Sequence, residues 1–216
     1  MALPVVALTR PSNIEGLSAS QIGASHLTPL YFPGVGHSSL NPAAARAWGA
    51  LVVACLAATG QTLTAVSTAD VLRSFQQQWN AFFDRYTDSW SLSVNGLTNR
   101  TQHTRFFQGK TWYLKKGRIP CAVPGTGNHP LGLAVDVAIF DSKIVDGNKW
   151  DGGARNIRSD AKVWAWLKEN VVSLGWSWEH AAEGVDDPHL RYYAGDKIPQ
   201  RVLDIEAWIA AASKAS

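Results

Sequence analysis

Apolar residues recur at helical spacing in four stretches of the chain and at strand spacing in several shorter ones. The first helix is the best marked. Asn41 is a good N-cap, Pro42 suits the first helical position, and Trp48, Leu51, Val52 and Cys55 follow at intervals of three and four before Gly60 ends the run. TLTAV (residues 62–66) then reads as a short strand. Ser67 with Asp70 three residues later resembles a capping box, and it predicts a second helix through VLRSFQQQWNAFFDRY with Leu72, Phe75, Trp79, Phe82 and Phe83 turned inwards. LAVDVAIF (residues 133–140) is β-branched and apolar apart from Asp136, the pattern of a buried strand. A third helix is expected from Asp160 to Leu174, with Ser159 as N-cap and Gly175 as its stop. Strands are expected at residues 176–179 and 190–193, and a last short helix at residues 202–211.

The remaining segments lack a period. Residues 1–40 are rich in Gly, Ser and Pro and read as an irregular arm on the domain, with PGVGHSS as its loop; Leu27, Leu30, Tyr31 and Phe32 are expected to be buried beneath it. Residues 87–120 read as a long irregular excursion of aromatic and basic residues, a length more often functional than idle. Helices and strands do not alternate regularly, so the expected class is α+β, with residues 41–216 as one domain. Composition agrees: 46% of the residues are hydrophobic and 17% charged, enough for a real core. The longest uncharged run, residues 47–58, is too short to span a bilayer, and the N-terminus lacks the basic and apolar regions of a secretory signal. A net charge of +3 falls well short of the concentrated charge of a nucleic-acid binder. Cys55 and Cys121, without CxxC spacing, read as structural thiols of a reducing compartment.

Asp136 is the anomaly. A carboxylate within an apolar strand costs on the order of several kcal/mol unless it is paired or bound to a cation. Seven residues earlier His129 stands in PGTGNHPLGLAVD, where glycines and prolines set a tight turn. His189 precedes an aromatic strand and follows Asp186 and Asp187. Two imidazoles and one carboxylate with a fourth position open make a common set for catalytic zinc, and a His–Asp hydrogen bond at a strand end uses the same residues.

The order of these pieces resembles the zinc peptidases of the VanY-like D-Ala-D-Ala carboxypeptidase and L-Ala-D-Glu endopeptidase family, including peptidase domains of phage endolysins. The family's Ser-x-His-x-x-Gly-x-Ala-x-Asp pattern falls on Gly127, His129, Gly132, Ala134 and Asp136, with Gly127 in place of the Ser. Its Glu/Asp-x-x-His pattern falls on Asp186 and His189, with Pro188 where a Trp is usual. An Arg-Ser with a Gln shortly after matches Arg73, Ser74 and Gln77. The resemblance runs from about residue 40 to residue 193 and is nearest to enzymes of actinobacterial phages.

That resemblance implies a DD-peptidase-like (hedgehog-like) fold, a small antiparallel sheet flanked by helices. It implies one Zn²⁺ on His129, Asp136 and His189, Asp186 as general base in preference to Asp187, and Arg73 holding the carbonyl oxygen or a substrate carboxylate. Ser74, Gln77, Trp178 and His180 are expected to contact substrate, His180 without a counterpart in the family; Trp176 and Trp178 sit at alternate positions of one strand face, which would either line a cleft or pack in the core. The expected substrate is the peptidoglycan stem peptide. An Asp rather than a Glu in the base position resembles the L-Ala-D-Glu endopeptidases; D-Ala-D-Ala carboxypeptidase activity, or a non-catalytic wall-binding module, are the alternatives. The expected setting is a monomeric phage endolysin, made in the host cytoplasm and acting on the wall after release, with no nucleic-acid partner and no membrane insertion.

Overall fold

The structure, a computed structural model, describes residues 5–89, 104–118, 120–145, 149–178 and 188–214. The class is α+β, as expected. Helix α1 (Pro42–Thr59) starts where Asn41 Oδ1 accepts from the Ala43 N–H, and it ends at Gly60 in the left-handed region, whose N–H donates to Leu56 O. By length and composition α1 is apolar enough to cross a bilayer. Ala44, Ala47, Leu51 and Cys55 are nonetheless fully buried in the main core, and Arg46 forms a two-pronged pair with Glu206 of helix α4 (Gln200–Lys214).

The main sheet is antiparallel and is organised around strand β7 (Ala134–Val145). Strand β3 (Leu63–Ala65) and strand β8 (Lys149–Asn156) both pair with Ala138 and Ile139, so they occupy opposite edges of β7. Strand β10 (His189–Tyr192) pairs with the first residues of β7 and carries strand β9 (Trp176–Ser177) on its far side. Strand period separates the two faces of this sheet. Val135, Val137, Ile139, Leu190, Tyr192 and Trp176 join the core beneath α1, while Ala134, Asp136, Ala138, His189, Arg191 and Ser177 face the other way. LAVDVAIF is therefore two-sided, and the carboxylate stands on the side away from the core, between two alanines.

Several segments depart from expectation. The arm carries a hairpin of strands β1 (Thr28–Phe32) and β2 (Gly36–Leu40), which buries Phe32 and Leu40 and leaves Tyr31 62% exposed, edge-on to His37 across the ladder. The described residues between 87 and 120 are not structureless. Strands β4 (Tyr86–Thr87), β5 (Thr104–Phe107) and β6 (Lys110–Leu114) form a second sheet in the order β4-β6-β5, with β5 and β6 joined by Gln108-Gly109, both at positive φ. That two-residue turn is the hairpin signal, carried by a Gln instead of the usual Asn or Asp. Helix α2 is Phe75–Arg85, not a helix from Ser67. The Ser67 hydroxyl donates to the Asp70 carboxylate within a single 3-10 turn, and the true capping box is Ser74 with Gln77. Phe82 of α2 packs with Tyr86 and Leu114 in a separate aromatic cluster. Helix α3 (Ala161–Asn170) is capped by Asp160, which accepts from two backbone N–H groups, rather than by Ser159. Cys55 and Cys121 are both free, and burial pushes both thiols up.

One glycine fixes how the arm meets the sheet. Gly132 has φ +67°, its carbonyl accepts from the Asn41 N–H at 2.9 Å, and a Cβ there would lie 2.7 Å from both Asn41 N and Leu27 Cδ2. Gly132→Ala is therefore expected to cost about 2 kcal/mol or more in a urea unfolding titration, from the left-handed backbone and the clash together. An unchanged midpoint contradicts this account.

Candidate metal centre

Three elements meet on the open side of the main sheet. The first is a 3-10 turn over His129–Leu131, closed by Gly132, whose N–H donates back to His129 O. Pro130 and the left-handed Gly132 make this turn tight and place the His129 ring over the start of β7. The second is β7, which carries Asp136. The third is β10, whose first residue, His189, lies directly opposite Asp136 in the antiparallel register. Residues 129, 136 and 189 are thus brought together by one turn and one strand pairing.

The donor atoms converge. His129 Nε2 lies 3.4 Å from Asp136 Oδ1, and His189 Nδ1 lies 3.0 Å from the same oxygen. All three ligand atoms fall within 4.8 Å of one another. Bonds of about 2.0–2.1 Å at tetrahedral angles put ligand atoms roughly 3.3–3.4 Å apart, so these separations suit a single small divalent ion. The two rings meet edge-on, at 70° with centroids 5.0 Å apart. His129 Nδ1 faces Val71 O at 3.4 Å; a proton on that nitrogen leaves Nε2 as the ligand. The break between Asp70 and Phe75, where the expected helix is absent, turns the Val71 carbonyl towards that ring.

Electrostatics agree with the geometry. Burial pushes the Asp136 carboxyl up, but the hydrogen bonds and charges of His129 and His189 outweigh it and hold the group well below the usual carboxylate range. Both histidines are almost fully buried, at 7% and 6% exposure. A nearly dry pocket of two imidazoles and one ionised carboxylate fits a divalent cation by its donor set alone.

The other expected residues divide. Asp186, Asp187 and His180 lie outside the described residues. Arg73 sits in the turn that leads into α2, partly buried, with Nη2 donating to Asp70 Oδ1 at 2.9 Å. Ser74 and Gln77 are occupied with each other: the Ser74 hydroxyl accepts from the Gln77 N–H and Gln77 Oε1 accepts from the Ser74 N–H. Their place is the helix cap, and both residues are exposed there. The expectation for Trp178 is corrected. This residue is fully buried, edge-on to Trp164 in the core, because Trp176 and Trp178 share the strand face turned towards α1 and not the face of the histidines.

The residue missed by sequence reasoning is Gln78. It is 4% exposed, and its Oε1 accepts from the Gly125 N–H at 2.7 Å, tying α2 to the loop that leads to His129. A Cβ on Gly127 would collide with Gln78 Nε2. The missing serine hydroxyl at 127 therefore has a steric counterpart, since the carboxamide occupies that space. Gln78 and Phe82 fall four apart on the buried face of α2, which is the signal that would have found it.

The VanY family, described as D-alanyl-D-alanine carboxypeptidase, matches residues 37–195. A solved structure of VanYB in complex with D-Alanine-D-Alanine is similar at 17% identity, covering 95% of this chain and 96% of that one, with a TM-score of 0.44. No curated protein matches the chain.

The depressed Asp136 carboxyl has a sign that can be tested. Its ionised form favours the fold, so the contribution is complete above the ordinary value of 3.8 and is lost as pH falls towards the lower folded value. In chelator-treated protein, the Tm gap between wild type and Asp136→Asn is expected to be wide at about pH 6 and to narrow below about pH 4. A gap constant across that range contradicts the assignment.

Proposed function

The chain belongs to the VanY D-alanyl-D-alanine carboxypeptidase family, and we propose that it is a zinc-dependent peptidase hydrolysing an amide bond in the stem peptide of peptidoglycan. The observation that carries this reading is the meeting of His129 Nε2, Asp136 Oδ1 and His189 Nδ1 at separations suited to one ion. Zinc held by three protein ligands, with a fourth position open, supplies Lewis acidity towards water and the scissile carbonyl.

The chain's own residues do the rest. Asp136 supplies the negative charge that keeps the ion in place, and the two imidazoles orient it. Asp186, three residues before His189, is assigned the proton transfer: its carboxylate takes a proton from the attacking water and returns it to the departing amine. Arg73 is assigned the carbonyl oxygen or a substrate carboxylate, using guanidinium donors that Asp70 does not occupy; the pair with Asp70 fixes the plane of the fork. His180 is assigned a substrate contact in the same stretch as Asp186.

Two scissile bonds are in view. An Asp in the base position supports the L-Ala-D-Glu bond, since its side chain reaches less far than that of Glu, and the likeness to actinobacterial phage enzymes supports a role in lysing the wall as an endolysin. The family's description supports release of a terminal D-Ala instead. Digestion of purified muropeptides, read by mass spectrometry, separates them: the first reading expects cleavage between L-Ala and D-Glu, and loss of a single Ala from pentapeptide stems with that bond intact overturns it.

Chelator is expected to abolish either product and added Zn²⁺ to restore it; hydrolysis that persists in chelator overturns the zinc reading. Asp186→Ala is expected to keep one zinc per chain while lowering kcat by about 10²-fold or more, on the usual scale of general acid–base catalysis. His189→Ala is expected to lose both metal and hydrolysis. Undiminished turnover in Asp186→Ala moves the base to another group.

A further inference from the structure

The side of the sheet that carries the three ligands holds one more buried charge. Arg191 follows His189 by two residues, so both side chains point to the same side of β10, and Arg191 is only 6% exposed. Its Nη2 donates to the Val6 carbonyl at 2.6 Å. The Val6 N–H in turn donates to Ser177 Oγ at 3.0 Å, and Ser177 stands opposite Arg191 in the β9–β10 pairing. Both polar backbone groups of one residue are thus gripped by facing side chains of neighbouring strands. Three residues on, the Thr9 N–H donates to Tyr193 O at 2.9 Å, and Thr9 forms a parallel bridge with Ala194. The segment from Val6 to Thr9 is fastened along β10 at both ends, and Leu8 packs on the core between them.

This clasp comes from outside the part of the chain that matches the family, which begins at residue 37. A charge-assisted hydrogen bond from a buried guanidinium is among the stronger polar contacts. Through it the Val6 segment is tied to the strand that also presents His189.

Resting on the reading that His129, Asp136 and His189 hold a divalent ion, we propose that Arg191 is a positioning residue for that centre. By clasping Val6 it braces β10 on the face opposite the core and keeps His189 Nδ1 at its 3.0 Å separation from Asp136 Oδ1. The amino-terminal segment is therefore part of the scaffold of the metal site.

The test uses the full chain and four variants: Arg191→Met, Arg191→Lys, Ser177→Ala and the Arg191→Met/Ser177→Ala double. Zn²⁺ affinity is measured by competition with a chromophoric chelator, and the visible spectrum of the Co²⁺-loaded protein reports ligand geometry. Arg191→Met is expected to weaken Zn²⁺ binding about tenfold, in the range for residues that orient metal ligands, and to shift the Co²⁺ bands. Arg191→Lys, which keeps one charged donor, is expected to recover most of the affinity. Ser177→Ala is expected to weaken binding in the same direction, and the double variant to lose less than the product of the single losses, because both residues act through Val6.

Wild-type affinity and spectrum in Arg191→Met, or single losses that simply multiply, overturn the proposal while leaving the metal site standing. A wild-type protein that takes up neither Zn²⁺ nor Co²⁺ overturns the metal reading and this one with it. Should Arg191→Met not fold, Ser177→Ala decides: unchanged affinity and Co²⁺ bands there overturn the clasp.

Discussion

The antiparallel pairing of β10 on β7 is the constraint on which the site depends. It sets His189 directly across from Asp136, so two residues more than fifty positions apart meet at hydrogen-bonding distance. Register is what matters here. A slip of one residue would turn His189 and Arg191 into the core and bring Leu190 to the carboxylate, because side chains alternate with a period of two. The core enforces the register: Leu190 and Tyr192 are fully buried on the opposite face, against the same cluster that holds α1. Hydrophobic packing on one side of the sheet thereby fixes the chemistry on the other.

Around that pairing the protein answers a second demand, which is to keep an ionised carboxylate in a nearly dry place. Alanines at 134 and 138 flank Asp136 on its strand face and leave room for the two rings. His129 reaches the carboxylate only because the turn at residues 129–132 is tight, and Gly132 makes it so by accepting a left-handed backbone beside Asn41. The same Asn41 caps α1, and its side-chain amide donates to Asn13 of the arm. One buried asparagine thus joins the arm, the helix and the turn that carries His129. Gln78 performs a comparable linkage from α2, through Gly125.

Among the described residues, the packing falls into two clusters. The main core supports β7 and β10. The smaller aromatic cluster of Phe82, Tyr86 and Leu114 supports α2 and, through it, Gln78 and the loop before His129. Arg73 stands between Val71, which is buried in the main core, and the first turn of α2.

Some of this was legible in the residues alone. The cap at Asn41, the stop at Gly60, the apolar run at residues 133–140 and the odd carboxylate within it follow from local rules, because capping, glycine conformation and the cost of a buried charge act within a few residues. The spacing of His129 and Asp136 and the pairing of a later histidine with the same centre were visible as a pattern. Tertiary structure decided the rest. Whether Trp178 faced the cleft or the core was a question of strand parity, which a sequence does not state until one partner strand is known. Ser74 and Gln77 capped their helix because the chain breaks at Val71, and Gln78 became the buried glutamine because the loop at Gly125 closes on its side of α2. The hold of Arg191 on Val6 spans 185 positions, and no local propensity can anticipate a contact made only when both ends of the chain arrive at one sheet. Local chemistry chose the side chains, and long-range packing chose which of them meet.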